Sequence, residues 1–181
     1  MRQDARQNRE RILAAAEAVF GAQGATGSTE EVAKRAGVGI ATVFRHFRTK
    51  ATLLEAVLVR RFDSLREQAE TLLDATDPGG AFFDFFTHLV ADAATKIAIG
   101  EALLEAGGDG DGDAAQASNG LRGAVAALLR RAQRAGAVRD DVELPEVYAL
   151  LVATSRAHFD QEVRARVLAI VFDGLAPLRN A

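Results

Sequence analysis

A small residue, a glycine and a branched apolar residue are spaced through residues 29–47 as a sharply angled pair of helices requires. Ala33 is small enough for a second helix to cross closely, and Gly37, four positions later, tolerates the positive φ of a tight turn. Val43, ten positions after Ala33, is an apolar residue of the size that fills such a joint. The spacing predicts a helix-turn-helix, although many helical hairpins share it.

The residues around this joint supply signals for the start and the end of helices. Residues 28–31, Ser-Thr-Glu-Glu, are typical of a capping box in which Ser28 is the N-cap and Glu31 reaches back to it. We expect one helix from Thr29 to Ala36 and a second from about Ile40 to Phe47. The preceding helix carries one apolar face and ends at glycines: Ile12, Leu13, Ala16, Val19 and Phe20, then Gly21 and Gly24.

Apolar residues recur with a period near 3.6 through most of the chain, and only three Pro occur, which predicts an all-α fold. We expect about nine helices in total. Those after the helix-turn-helix run from Thr49 or Lys50 to about Ala75, from about Ala81 to Ala94, then to about Ala106, from about Asn119 to Ala135, from about Pro145 to Phe159 and from Gln161 to Leu175. This order predicts a three-helix N-terminal domain, residues 1–50, followed by a helical bundle, residues 51–181.

The charges are distributed unevenly between these two parts. Residues 1–50 carry nine Lys or Arg against five Asp or Glu, whereas residues 51–181 carry thirteen against twenty. A basic front on an acidic body indicates that the front meets a polyanion. Charge alone favours this interpretation no more than a chance scatter of surface residues.

Residue counts exclude several kinds of site. The chain has no Cys, which removes thiolate nucleophiles and cysteine zinc sites, and its three His, at 46, 88 and 158, form no closely spaced pair. The acidic run from Asp109 to Asp113 resembles the start of a calcium loop, but the sixth loop position is Ala114 and the twelfth is Gly120. We therefore expect no metal and no cofactor.

The N-terminal residues are charged and lack the apolar segment of a secretory signal. Apolar runs such as residues 147–153 are far shorter than the ~20 residues that a membrane span needs. We expect a cytoplasmic protein with no membrane partner.

The first third of the chain resembles a known family. The residues that carry the resemblance are Arg9 to Leu13, Glu17 to Phe20, Glu31 to Phe47, Lys50, Leu53 and Leu54. Over residues 9–58 they are similar to the N-terminal domain of tetracycline-repressor-like (TetR family) regulators. The resemblance implies a homodimeric transcriptional regulator, not an enzyme, that binds palindromic double-stranded DNA.

The resemblance also implies which residues contact DNA. The second helix of the joint would present Gly39, Ile40, Ala41, Thr42 and Arg45 to the major groove. There Arg45 can donate two hydrogen bonds to guanine, and Ile40 or the Thr42 methyl can contact thymine methyls.

Contacts with the DNA backbone are implied for Ser28 or Thr29, which would bind phosphate at a helix N-terminus, and for His46 and Lys50. Phe44 stands where the family commonly has Tyr, so a phenol contact is missing, and Phe44 is either a DNA contact or a core residue. Gly27 stands where Thr is common.

The body contains a Phe-rich helix in which Phe82, Phe85, Phe86 and Leu89 share a face and Phe83 points away from it. These residues either pack a core or line an apolar effector pocket with Thr87 or His88 as its polar group. Further polar candidates for the pocket are Tyr148, Thr154, Arg156 and His158.

The last two helices carry apolar stripes: Val147, Leu150 and Leu151 with Thr154 on one, and Val163, Val167, Ile170, Val171 and Leu175 on the other. In the family such a pair usually forms a four-helix interface with a second copy, and two apolar helices at a chain end need cover. A purely internal role is the alternative.

The most specific expectation is a repressor that a small-molecule effector releases from a palindromic operator. The alternatives are a ligand-independent architectural DNA-binding protein or an activator. A remote alternative is a small helical enzyme that uses a carboxylate with His88 or His158, but the sequence has no nucleophile and base at a useful spacing.

Overall fold

The computed structural model describes residues 2–109, 112–156 and 160–177. Within these ranges it contains eight α-helices and no strand. The helices are α1 (Arg2–Gln23), α2 (Thr29–Ala36), α3 (Ile40–His46), α4 (Lys50–Leu72), α5 (Pro78–Glu105), α6 (Asp113–Arg134), α7 (Leu144–Arg156) and α8 (Gln161–Leu175), and a short 3-10 helix, Gly24–Thr26, follows α1. The predicted all-α class is confirmed.

The expected number of about nine helices is wrong because α5 is continuous where a break was expected near Ala94. The cause is a change of buried face along one helix. Before Ala94 the buried residues are Leu89, Val90 and Ala93, which share one face of the helix. After it the buried residues are Ile99 and Ala102, which lie on a different face. A shift in the apolar pattern therefore resembled a break, although no Gly or Pro interrupts the helix between residues 81 and 99.

The residues cluster into two compact units. Unit 1 combines Met1–Asp63 with Thr95–Asn119, and unit 2 combines Ser64–Ala94 with Gly120–Ala181. Helices α4, α5 and α6 each contribute residues to both units. The domain boundary at residue 50 stays a prediction from the sequence.

Unit 1 has a core that fastens the helix-turn-helix to α1, α4 and the end of α5. The core residues include Ile12, Leu13, Ala16, Val19 and Phe20 of α1, Val32, Ala33, Ala36 and Val43 of α2 and α3, Phe47 directly after α3, Leu53, Leu54, Val57 and Leu58 of α4, and Ile99, Ala102 and Leu103 of α5. Because α2 and α3 are short, this packing rather than their own propensity holds them in place.

Unit 2 has a core of aromatic and aliphatic residues. Its buried residues include Phe82, Phe85, Phe86 and Leu89 of α5, Leu121, Val125, Leu128 and Leu129 of α6, Val147 and Leu151 of α7, and Leu168 and Leu175 of α8. Phe83, expected to point away from the others, is half-buried and its ring centroid lies 4.6 Å from that of Phe172. In the part of the chain that the structure describes, no helix is long and apolar enough to cross a membrane.

Candidate nucleic-acid interface

The turn between α2 and α3 has the geometry that the sequence predicts. Gly37 adopts a left-handed conformation with φ 65° and ψ 38°. The Val38 N–H donates to the Ala33 carbonyl over 3.1 Å, which closes the last turn of α2. Ala33 and Val43 are both buried in the joint. The orientation of α3 is thus set by backbone geometry and by close packing together.

The start of α2 is capped by a side chain. Oγ of Ser28 accepts a hydrogen bond from the Glu31 N–H at 3.1 Å, so Ser28 is the N-cap. The Glu31 carboxylate, expected to reach back to Ser28, accepts instead from Nε2 of Gln23 at 2.8 Å. The Thr29 hydroxyl donates to the Glu30 carboxylate over 3.3 Å. Phosphate binding by Ser28 or Thr29 stays a prediction.

Helix α3 exposes the side expected to meet DNA. Gly39, Ile40, Ala41, Phe44 and Arg45 are exposed, and Thr42 and His46 are half-buried. Nη2 of Arg45 donates to Oγ1 of Thr42 across 3.2 Å, so the guanidinium group is held along the helix surface. The same short helix therefore presents one guanidinium group, one hydroxyl and two large apolar side chains.

Two phenylalanines at this end of unit 1 have different environments. Phe47 is buried, and the Arg9 guanidinium carbon lies 5.3 Å from its ring centroid. Phe44 is 44% exposed. Phe47 therefore belongs to the core, whereas Phe44, which the sequence left as either a core residue or a DNA contact, lies at the surface.

The effector-pocket candidates on α5 differ in exposure. Phe82, Phe85 and Phe86 are buried in unit 2, but Thr87 and His88 are exposed, and the Thr87 hydroxyl donates to the Phe83 carbonyl. The His88 ring centroid lies 6.3 Å from that of Phe85, and a role of Thr87 or His88 as the polar group of an effector pocket stays a prediction. Thr87 and His88 lie on the side of α5 away from Phe82, so they face outward when Phe82 faces the core.

Two further pocket candidates lie on α7, and their hydroxyl groups differ. Thr154 is buried and donates to the Leu150 and Leu151 carbonyls of its own helix. The Tyr148 hydroxyl oxygen is buried and has no hydrogen-bond partner among the described residues, and burial raises its pKa to about 12. The guanidinium carbon of Arg122 lies 4.3 Å from the Tyr148 ring centroid. His158 and the rest of residues 157–159 lie outside the described residues.

The candidates for a dimer interface divide between core and surface. Val147 and Leu151 are buried inside unit 2, so their assignment to a surface is wrong. Leu150, Val167 and Val171 are half-buried, and Val163 and Ile170 are exposed, by 41% and 70%. Val152, which was not among the predicted residues, is 45% exposed. Helix α7 has apolar residues on two sides, so the spacing of its apolar residues could not indicate which side faces the core.

Comparison with known proteins identifies the family. Residues 12–57 match the family model described as bacterial regulatory proteins, tetR family. Residues 77–177, more than half of the chain, match the model described as transcriptional regulator SbtR-like, C-terminal domain. The chain belongs to the TetR family. The predicted helix-turn-helix and the assignment to transcriptional regulators are thereby confirmed.

Two solved TetR regulators are similar over nearly the whole chain. The TetR transcription regulatory protein from Mycobacterium vanbaalenii is 39% identical, and the alignment covers 97% of this chain and 98% of that one with a TM-score of 0.80. The TetR transcriptional regulator SCO0520 from Streptomyces coelicolor is 31% identical, with coverages of 93% and 98% and a TM-score of 0.77.

A curated relative is similar over a shorter region. An HTH-type transcriptional regulator of Staphylococcus aureus strain USA300 is 39% identical over 64 residues. The match spans 35% of this chain and 35% of the relative, about a third of each protein.

One residue that TetR resemblance assigns to DNA has protein partners here. Nζ of Lys50 donates to the carbonyls of Ala25 and Gly27, at 2.7 and 2.8 Å, and lies 5.1 Å from the Phe20 ring centroid. Lys50 therefore fastens the start of α4 to the segment after α1. Its partners lie 23 and 25 positions away, so no local pattern could have indicated them. Its contact with DNA stays a prediction.

The departure from the TetR pattern at Gly27 has a steric reason. A Cβ at Gly27 would lie 2.8 Å from Cδ1 of Phe20 and 3.0 Å from Cγ1 of Val19. The close approach of this backbone to α1 suits a residue without a side chain, and it places the Gly27 carbonyl within reach of Lys50.

Two threonines that were not predicted as a cap lie where α4 begins. The Thr52 N–H donates to Oγ1 of Thr49, and the Thr49 N–H donates to Oγ1 of Thr52, both over 3.1 Å. This reciprocal pair satisfies two backbone donors where α4 begins. The Thr-x-x-Thr spacing was a usable signal for it.

Proposed function

We propose that this TetR-family chain is a homodimeric repressor that binds a palindromic operator and is released from it by a small-molecule effector. The observation that carries the proposal is the exposed face of α3, held outward by the Gly37 turn and by burial of Val43. A short helix that is held with one face exposed is suited to enter the major groove.

Base recognition would depend first on Arg45. Its guanidinium group can donate two hydrogen bonds to O6 and N7 of guanine. In the free protein one of its nitrogens already donates to Thr42, so the side chain is partly oriented before DNA arrives. Gly39 and Ala41 have little or no side chain, which permits close approach of the helix to the groove.

Backbone contacts would set the register of the protein on DNA. Ser28, Thr29 and His46 are the proposed phosphate ligands, and Lys50 is a fourth if it exchanges a carbonyl partner for phosphate. Such contacts supply affinity that decreases as salt increases, and they select no sequence.

Dimerisation is proposed through the exposed apolar residues of α7 and α8. Val152, Val163 and Ile170 are exposed in the single chain, and Leu150, Val167 and Val171 are half-buried. Covering them with a second copy gives two-fold symmetry, which a palindromic site requires. Two recognition helices would then lie about 34–36 Å apart, one turn of DNA.

Effector binding is proposed near Tyr148 in unit 2. Its buried hydroxyl group stays protonated at neutral pH and can donate a hydrogen bond to an acceptor oxygen or nitrogen of a ligand. An effector acts on DNA binding only through a difference in affinity between the two states of the protein, typically about 1–3 kcal/mol.

The experiment that tests DNA binding is selection of bound duplexes from a random library, followed by measured affinities. We expect a palindromic consensus, and a loss of about 10- to 100-fold for Arg45→Ala at that sequence, since one bidentate guanine contact is worth about 1–3 kcal/mol. Arg130→Ala, at an exposed position of α6, is the matched control and should bind normally. Enrichment of no sequence would overturn the proposal.

A second experiment tests release by an effector. Small molecules that raise the melting temperature are added to the complex of protein and selected duplex, for the natural chain and for Tyr148→Phe. We expect at least one stabilising compound to lower DNA affinity of the natural chain. If none does, the protein is a ligand-independent DNA-binding protein.

A further inference from the structure

Two large apolar side chains lie side by side on the outward face of α3. Ile40 is 38% exposed and Phe44 is 44% exposed, and they are separated by one helical turn. Residues four apart on a helix have Cβ atoms about 5–6 Å from each other and share a face. We call this pair the Ile40–Phe44 patch.

The patch is not an extension of the core of unit 1. In the same segment Val43 and Phe47 are buried, so the joint already has its apolar residues. Leu104 is the other exposed large apolar side chain of unit 1 among the residues that the structure describes. Exposed apolar side chains that lie together mark a surface that is covered in a complex.

The chemistry of the major groove limits what can cover this patch. Base edges there present hydrogen-bond donors and acceptors, and the apolar group they present is the 5-methyl of thymine. Phe44 has no hydroxyl group and cannot donate to a phosphate, so its contribution to binding comes from apolar contact. Two hydrogen-bonding residues of the helix, Arg45 and Thr42, are joined by a hydrogen bond beside the patch.

We infer that the Ile40–Phe44 patch reads two thymine methyl groups in each half of the binding site, an inference that rests on the proposed function. The spacing of the two side chains, about 5–6 Å, exceeds one base-pair step of about 3.4 Å and is less than two such steps. The two T·A pairs are therefore neighbours or have one pair between them. Arg45 then specifies guanine, and the patch specifies thymine, within one short site.

Deoxyuridine substitution tests the inference directly. Deoxyuridine pairs like thymidine and keeps its hydrogen-bonding groups but lacks the 5-methyl group. In the selected duplex, each thymine is replaced in turn, symmetrically in both half-sites. Each symmetric substitution removes two methyl groups, and each buried methyl-sized group is worth about fourfold in affinity. We therefore expect two thymine positions at which affinity decreases about 15-fold, and little change at the other positions.

Variants of the protein assign each methyl group to a side chain. Phe44→Ala should remove the preference for thymine over uracil at one position, and Ile40→Ala should remove it at the other. Arg45→Ala is the matched control: it should weaken binding at guanine and keep both preferences. Each preference is a ratio of two affinities measured with the same protein sample, so a loss of folded protein does not change it.

Three results would overturn the inference. The first is that the selected half-sites lack T·A pairs at this spacing. The second is that no deoxyuridine substitution lowers affinity. The third is that the preference for thymine persists unchanged in both alanine variants. In each case the duplex is still bound and the proposed function stands, because Arg45 and the phosphate contacts are intact. Failure to enrich any DNA is a separate outcome that removes both proposals.

Discussion

Gly37 illustrates how one residue sets the orientation of α3. Its φ of 65° is a conformation that residues with a side chain adopt at a cost, and the Arg11 guanidinium group donates to its carbonyl oxygen over 3.4 Å. Gly39, two positions later, has φ −70° and open space where a side chain would begin. The two glycines of the turn therefore have different requirements.

We predict that Gly37→Ala lowers the free energy of unfolding by about 1–2 kcal/mol, the cost of the left-handed region for a residue with Cβ. The new Cβ would also lie 2.7 Å from Nη2 of Arg11, which has to move. Gly39→Ala is the matched control and should leave stability nearly unchanged. Urea titration followed by circular dichroism measures both, and equal stability of the two variants would contradict the argument.

The Lys50 ammonium group donates to two backbone carbonyls, so its contribution to stability can be measured apart from any contact with DNA. We predict that Lys50→Met lowers the free energy of unfolding by about 2 kcal/mol, because hydrogen bonds that involve a charged group contribute about 1.5–3 kcal/mol. Lys34→Met, at an exposed position of α2, should have little effect on stability. If Lys50→Met weakened DNA binding but left stability unchanged, the carbonyl contacts would be unimportant.

At the scale of elements, the start of α6 depends on a side chain from α4. Oε1 of Glu55 accepts a hydrogen bond from the Asp113 N–H over 3.0 Å, and a Cβ at Gly112 would collide with the same carboxylate. A carboxylate at a helix N-terminus satisfies a backbone donor and interacts favourably with the helix dipole. Helix α6 accordingly begins at Asp113, six residues before the expected start at Asn119.

We predict that Glu55→Ala destabilises the protein by about 0.5–2 kcal/mol, the usual value of an N-terminal cap. Amide hydrogen exchange should localise the effect to the first turn of α6. Glu101→Ala, at an exposed position of α5, serves as the control. Unchanged exchange in residues 113–116 of the Glu55 variant would show that the hydrogen bond contributes nothing.

The elements also explain which sequence predictions succeeded. The α2–α3 joint depends on Ala33, Gly37 and Val43, which lie within eleven residues and act through local geometry, so its pattern was sufficient. The continuity of α5 and the partner of Glu55 depend on packing between distant segments, which one sequence does not display. The exposure of Phe44 and the burial of Val147 were open for the same reason.

At the scale of the whole molecule, the single chain leaves apolar side chains of α7 and α8 in contact with water. We predict that Ile170→Asp, at a position that is 70% exposed, yields a monomer with about the 19.2 kDa mass of one chain, and we expect twice that mass for the natural protein. A charge buried in an apolar interface without a partner is costly, so dimerisation should be lost. Sedimentation equilibrium gives the mass.

Arg130→Asp, which also introduces a negative charge on the surface of unit 2, should remain a dimer and bind the selected duplex. The Ile170 variant should bind that duplex far more weakly, since only one half-site can be occupied at a time. A dimeric Ile170→Asp protein would place the contact between copies elsewhere on the chain.

The brevity of α3 has an evolutionary consequence. Of its seven residues, Val43 is committed to the joint, and Ile40, Phe44 and Arg45 project from it without supporting the core. Substitutions at such positions usually alter stability by less than about 0.5 kcal/mol. A duplicated copy of this gene could thus acquire a new target through two or three mutations while its scaffold stayed intact, which makes regulators of this architecture inexpensive to diversify.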